Sequence, residues 1–333
     1  MVAEVQNLVP GLSRERAKTL VNRAFKYAQD SCLWSFQLGQ GSFSTPNVTT
    51  AGSISCTQGL NQIVGDSSAS AAWTALPLYW APTTQQIRAQ GFSIYSIINM
   101  DTTNPNAVVL TLDRPFTDPL PFFTGVGYLM FQAYIPAPPR FKRWLTIADM
   151  FNCWSLDIWT SRRTIDLSDP ARLYTSNPAM ALPLGQDLRG AGTPNQSATY
   201  GQQLYELYPN PQTEIGYQTY YVAEWPYLVN NSDTLPAPLD EELITQKALT
   251  WAYRDAEARR DIMAAKGSQG NYLGLKKSSE DDFLIRLKTL RLLDRDAVDS
   301  YFVDMKMALT GYRGLMPYFN PLSGTSNMGF GWR

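Results

Sequence analysis

Apolar residues in this chain keep a helical period at both ends and lose it between about residues 37 and 235. A helix buries a stripe and a strand buries alternate residues, so the two kinds of segment pack by different rules. The first stretch, 13–32, has Ser13 placed to cap it. Its apolar positions are Ala17, Leu20, Val21, Ala24, Phe25 and Ala28, one face of an amphipathic helix, with Arg16, Lys18, Arg23, Lys26 and Asp30 opposite. Residues 32–36 then carry Cys32, Leu33, Trp34 and Phe36, which should pack the helix exit into a core. One helix of this length is not stable alone. It most simply packs with two helices near the other end of the chain.

The first of those follows Pro238, with Asp240, Glu241 and Glu242 at the positive helix end. Leu243, Ile244, Ala248, Trp251, Ala252, Ala256 and Ile262 form its stripe, and Gly267 and Gly270 are expected to end it. The second is expected over 279–309, capped by Ser278 or Ser279, with Glu280, Asp281 and Asp282 in its first turn. Phe283, Leu287, Leu290, Asp294, Ala297, Tyr301, Asp304 and Ala308 recur by fours and threes, and Leu284, Leu293, Val298 and Met305 broaden the packing face.

Between the helical ends, Gly, Pro, Ser, Thr and Asn punctuate short β-rich runs. Strands are expected at 52–57 and 62–64 as a hairpin about the turn 59–61, then at 92–98 and 107–112 about the turn 101–106. Others are expected at 128–134, 156–159, 203–208 and 215–222. A proline-rich link is expected at 136–144 and a long loop at 172–202. Many short strands suggest a sandwich or barrel. The expected fold is thus α+β. A small bundle, made of the N-terminal helix (1–36) and two C-terminal helices (238–310), carries a large inserted all-β domain (37–237) and an extended tail (311–333).

Composition narrows the chemistry. The chain has no histidine, which removes the commonest general base and metal ligand and excludes Ser-His-Asp and Cys-His catalysis. Cys32, Cys56 and Cys153 are odd in number and far apart, as expected of reduced, mostly buried thiols. With 28 basic and 29 acidic residues the net charge is −1, against the basic excess of a protein that grips nucleic acid. No secretory signal or bilayer-length apolar run is evident, so a soluble protein made in a cytosol is expected. No nucleotide-binding glycine motif is present. Asp113, Asp118, Asp149, Asp157, Asp166, Asp169, Glu206, Glu214 and Glu224 supply carboxylates, but these fit turns and strand edges better than a catalytic pair. The basic runs 140–143 and 162–163 lie among aromatics and fit solvated or ion-paired arginines better than a nucleic-acid site. No enzyme, cofactor or metal centre is expected.

Residues 311–333 cannot form a regular helix because Gly and Pro recur, yet they hold Tyr312, Leu315, Met316, Tyr318, Phe319, Leu322, Phe330 and Trp332. Free tails are poor in aromatics. These residues therefore call for a surface, either that of the chain's own domain or that of a neighbour.

Three stretches carry a family resemblance. Residues 15–30, closed by Leu33, Trp34 and Phe36, resemble the first helix of bacteriophage head-to-tail adaptor (connector) proteins. Residues 220–240 resemble the link returning from the β-part of such proteins to their second helix. The helix from Phe283 to Leu309, followed by an extended tail, is similar to their third element. Together they cover roughly a third of the chain. The 37–237 region departs from the family in being larger than the insert of small adaptors. That leaves another neck or tail-tube component open. The resemblance implies a structural virion protein without catalytic residues, assembled in host cytoplasm and located at the neck. It implies a self-ring, commonly of about twelve copies, docked on the portal protein, joined to tail proteins and bounding the channel that genomic DNA traverses without tight binding. The tail would reach the portal or an adjacent subunit. Two other roles remain: a tail-associated carbohydrate binder or glycan hydrolase, and a capsid decoration protein.

Overall fold

The computed structural model describes residues 1–9, 11–75, 84–89, 93–117, 122–152, 154–189, 199–230, 233–263 and 272–310. It is a mixed α and β structure with six helices and several antiparallel sheets, one curled as a half-barrel. The helices are α1 (Val2–Leu8), α2 (Arg14–Ser31), α3 (Ser67–Thr74), α4 (Arg162–Ser168), α5 (Glu241–Met263) and α6 (Tyr272–Thr310).

Ser13 caps α2 as its position implies, accepting the Arg16 N–H at 3.3 Å. Asp240 does the same for α5, accepting the Leu243 N–H at 2.9 Å. The expected stripes of α2 and α5 meet in one apolar core, where Leu20, Phe25, Trp34, Leu243, Ile244 and Phe283 are buried. Val5, Val9 and Leu12 join it from α1 and the residues after it, a short helix with too few turns to show a period in sequence. The segment after the last strand runs beside α2 and is held by side-chain amides that imitate backbone. Asn22 exchanges two hydrogen bonds with Leu228, at 2.8 and 2.9 Å. Gln29 exchanges two with Trp225, both at 3.3 Å. Trp34 closes the helix exit, its Nε1–H donating to the Ala28 carbonyl at 2.9 Å.

Helix α6 differs from expectation at its start. It begins at Tyr272, so Ser278 and Ser279 are interior rather than capping, and Glu280–Asp282 are not a first turn. Nothing between Leu273 and Lys277 except Gly274 opposes a helix, and Glu280 has another partner. The Lys247 ammonium lies 3.4 Å from Glu280 and 4.3 Å from the centre of the Tyr27 ring, so charge and aromatic face satisfy a nearly buried lysine. Gly267 and Gly270 lie outside the described residues.

The strands are β1 (Leu38–Thr45), β2 (Ile54–Thr57), β3 (Gln62–Gly65), β4 (Gln85–Ala89), β5 (Ile94–Asp101), β6 (Val109–Leu112) and β7 (Phe122–Val126). They continue with β8 (Tyr128–Gln132), β9 (Tyr134–Pro136), β10 (Phe141–Asp149), β11 (Trp154–Ser155), β12 (Met180–Gln186), β13 (Gln203–Tyr208) and β14 (Ile215–Ala223). They form a seven-stranded sheet β7-β2-β3-β6-β5-β4-β8, a three-stranded sheet β12-β13-β9 and a four-stranded sheet β1-β14-β10-β11. The two expected hairpins, β2–β3 and β5–β6, both form.

Three expectations are corrected. Residues 156–159 are not a strand: Asp157 accepts the Trp159 N–H at 2.8 Å in a turn and makes only an isolated bridge to Met180. The span 172–202 is not all loop, because β12 lies inside it, its alternation hidden by Pro183 and by the register shift before Gly185. The proline-rich link ends at Phe141, where β10 begins. Strand β1, unforeseen because it is glycine-rich and polar, follows directly on the helical core. A Cβ on Gly39 would lie 2.5 Å from the Tyr221 ring, so that close approach requires glycine.

Helix α6 fastens the helical core to the four-stranded sheet. Asp294 accepts from the Ser35 N–H at 2.7 Å and from the Ser35 hydroxyl at 2.5 Å. Two turns on, the Tyr301 hydroxyl donates to the Gly39 carbonyl at 2.5 Å, and its ring meets Tyr220 edge-on at 5.4 Å.

The burial pattern predicts a sharp contrast between adjacent residues of α6. Phe283→Ala should cost about 3–5 kcal/mol in denaturant unfolding, the usual range for deleting a fully buried aromatic ring. Leu284→Ala, at a half-exposed position, should stay within about 0.5 kcal/mol. Equal losses would mean that α6 does not present these faces.

Candidate functional site

The residues expected from sequence to contact a partner, Tyr312, Leu315, Met316, Tyr318, Phe319, Leu322, Phe330 and Trp332, lie outside the described residues. Helix α6, the last described element, leads to them. Its inner face is used by the helical core through Phe283 and Leu290. Its outer face holds Leu284, Ile285, Leu292 and Leu293, which are 53%, 67%, 60% and 71% exposed. Ile285 and Leu292 are two turns apart on one line, with Leu284 and Leu293 flanking it. Lys288, Arg291 and Arg295 lie beside Leu284 and the Ile285–Leu292 line, so aliphatic and basic side chains share this side of the helix. Large aliphatics left exposed beside basic residues on the outward half of a helix fit an assembly surface.

A second surface is the outer edge of β1. All eight residues of β1 pair with β14 without a register shift, from Leu38 opposite Val222 to Thr45 opposite Ile215. Among the described residues no strand pairs with the other side of β1, although the Gly39 carbonyl near its start is already engaged by the Tyr301 hydroxyl of α6. In an antiparallel pair every second residue of an edge strand turns its N–H and C=O outward. Natural edges are usually protected by charge, proline or a bulge, and β1 has none of these. A groove of about 220 Å³ lies on the adjoining sheet face, over β1, β14 and β10, walled by Phe43, Gln132, Pro136, Trp144 and Tyr221. Two wall residues, Gln132 and Trp144, are buried, and neither the Gln132 Oε1 nor the Trp144 Nε1–H has a hydrogen-bond partner among the described residues. An orphaned acceptor and an orphaned donor are unusual in a finished core. The eight-residue run 38–45, free of charge and proline, was the sequence signal for this edge.

The ionisable groups are engaged elsewhere. In the run 140–143, Lys142 pairs with Asp30 at 2.5 Å, and Arg140 lies over the Trp225 ring at 5.9 Å. Arg162 lies 3.1 Å from Glu206. Glu206 also accepts from Arg172 Nε at 2.5 Å, and Arg172 bonds Asp166 as well. Burial alone would lower the Arg172 pKa, but Glu206 and Asp166 outweigh it and hold the guanidinium above its ordinary value. Asp149 accepts the N–H groups of Phe151 and Asn152 at 2.9 and 2.8 Å, a turn role, and Glu224 pairs with Lys26. Burial pushes the Cys32 thiol up to about 11, which keeps it protonated and unreactive at neutral pH. Among the described residues no group of three or more His, Cys, Asp or Glu could hold a metal ion, and no helix is long and apolar enough to cross a membrane. Asp118 and Cys153 lie outside the described residues.

Two outcomes follow from the ion network and the turns. Arg172→Met leaves Glu206 buried with only the half-exposed Arg162, and should cost about 3–5 kcal/mol in denaturant unfolding. The double change Arg172→Met with Glu206→Leu should cost less than the sum of the two single changes. The Thr160 hydroxyl and the N–H groups of Trp159 and Thr160 hold Asp157 below the ordinary carboxylate range. At Asp169, burial opposes the N–H groups of Leu173 and Tyr174, and the N–H groups prevail. Both pKa values are lower folded than unfolded, so both contributions are complete above about pH 4–5 and vanish as pH falls through the folded values. Stability measured in urea should therefore decline below about pH 4, and Asp157→Asn should shallow that decline. An unchanged slope would contradict the assignment.

No protein-family model matches this chain, and no curated protein matches it.

Proposed function

We propose that this chain is a structural virion protein of a bacteriophage, a head-to-tail adaptor that joins the portal to the tail and bounds the DNA channel. In this reading the helices of 1–36 and 238–310 form the bundle, 37–237 is its inserted β-rich domain, and 311–333 is the docking arm. The shared core of α1, α2, α5 and α6 supports that division. The observation that carries the function is the outer face of α6. A helix of 39 residues gives one side to its own fold and leaves Leu284, Ile285, Leu292 and Leu293 exposed around the outward half, as a subunit of a larger assembly would.

A ring needs two different surfaces on each copy, because heterologous contacts close only when unlike patches meet. The α6 face and the β1 edge are two such patches on separate elements. Mechanically the protein performs no bond chemistry. Its work is buried interface, and its near-neutral charge, −1 over 333 residues, suits a conduit that DNA passes without adhering.

The test is co-sedimentation with purified portal rings of the same particle, comparing the full chain with one ended after Thr310. The full chain should co-sediment and the shortened chain should lose at least about tenfold in affinity, the scale set by removing interface anchors. A full chain that never associates with intact portals overturns the proposal.

A further inference from the structure

We propose that the open edge of β1 receives the C-terminal residues of a neighbouring copy as an added antiparallel or parallel strand, with their aromatic side chains in the groove beside it. This rests on the ring reading above and specifies which surface each copy offers the next.

The occupant is segment 322–333, which follows Pro321 and contains no further proline to interrupt a ladder. Its last residues alternate strictly: Met328, Phe330 and Trp332 fall on one face of an extended strand, and Gly329 and Gly331 on the other. Such a strand has one apolar face and one bare backbone face. The site matches it in kind. Strand β1 carries no charge, and the groove walls are Phe43, Pro136, Trp144 and Tyr221. The only charged residues of 311–333 are Arg313 and Arg333, so little charge would have to be desolvated.

The path of α6 favours a neighbour's segment over the chain's own. The helix passes Ser35 at Asp294 and Gly39 at Tyr301, and the Asp304 charge acts on Tyr220. It also lies against β10 and β11. The sheet order is β1-β14-β10-β11, so the helix enters at the β1 side and heads for the opposite edge. The end of α6 is therefore directed away from β1, toward the side on which a head-to-tail neighbour would stand in the proposed ring. Twenty-three extended residues reach at most about 75–80 Å, and eight ladder positions take about 26 Å, so the span is ample.

Amide hydrogen exchange tests this on the full chain, read first on the free monomer and then on the portal-bound assembly. On assembly, exchange at the outward amides of 38–45 should slow by at least about tenfold. Phe330→Lys with Trp332→Lys should abolish that slowing and the assembly with it, while leaving the monomer's unfolding transition unchanged. Portal binding by the full chain with no change at 38–45 overturns this inference and leaves the adaptor proposal standing. Protection of 38–45 already present in the monomer and lost in the double variant assigns the site to the chain's own arm and also overturns it. A full chain that assembles neither on portals nor with itself at high concentration overturns both.

Discussion

Everything described here depends on one helix meeting two unlike surfaces. Near Phe283, α6 is a member of an apolar helical core. By Tyr301 it lies on a β-sheet. Between them Asp294 receives both donors of Ser35, the residue that leads from the helix exit into β1. A charge-assisted pair of this kind is stronger than a neutral hydrogen bond and fixes direction as well as distance. The helix, the start of β1 and the end of β14 are thereby held in one orientation. Besides that junction, the helical core and the sheet are joined by the Lys142–Asp30 pair and by the chain crossings at 36–38 and 223–240.

Sequence periodicity made the helical part largely legible. The stripe from Ala17 to Ala28, the cap at Ser13 and the acidic start at Asp240 are local signals, and local structure obeys them. The start of α6 was misplaced because Ser278 and Glu280 imitate a cap and first turn. What decides their role is Lys247, a contact 33 residues away. The strong strands, such as β5, β6 and β14, were visible because β-branched and aromatic residues alternate there. Strand β1 was not, since Gly39 and Gly41 answer to close approach to β14 rather than to burial. Strand β12 was masked by its own proline and glycine. The partner-contacting residues expected from sequence lie beyond the described part. The β1 edge that could receive them is a property of sheet order, which no local pattern encodes.

The functional account joins three physical facts. The chain has no histidine, several of its described carboxylates and arginines are paired within the fold, and it leaves an unpaired strand edge and several large aliphatics exposed. These features support the proposed assembly role. An apolar helix face and an open strand edge differ in kind, so each selects something other than itself. Unlike patches on one subunit generate closed rings when the rotation between copies divides a full turn, and open filaments when it does not. A portal docked beneath would supply that rotation.

The most direct test of the central claim is electron cryo-microscopy of portal rings incubated with the full chain. The account predicts a closed ring of chain copies on the portal, with continuous density from the end of α6 in one copy to the β1 edge of the next. Portal rings that carry no added density, or copies of the chain bound singly without touching one another, would contradict it.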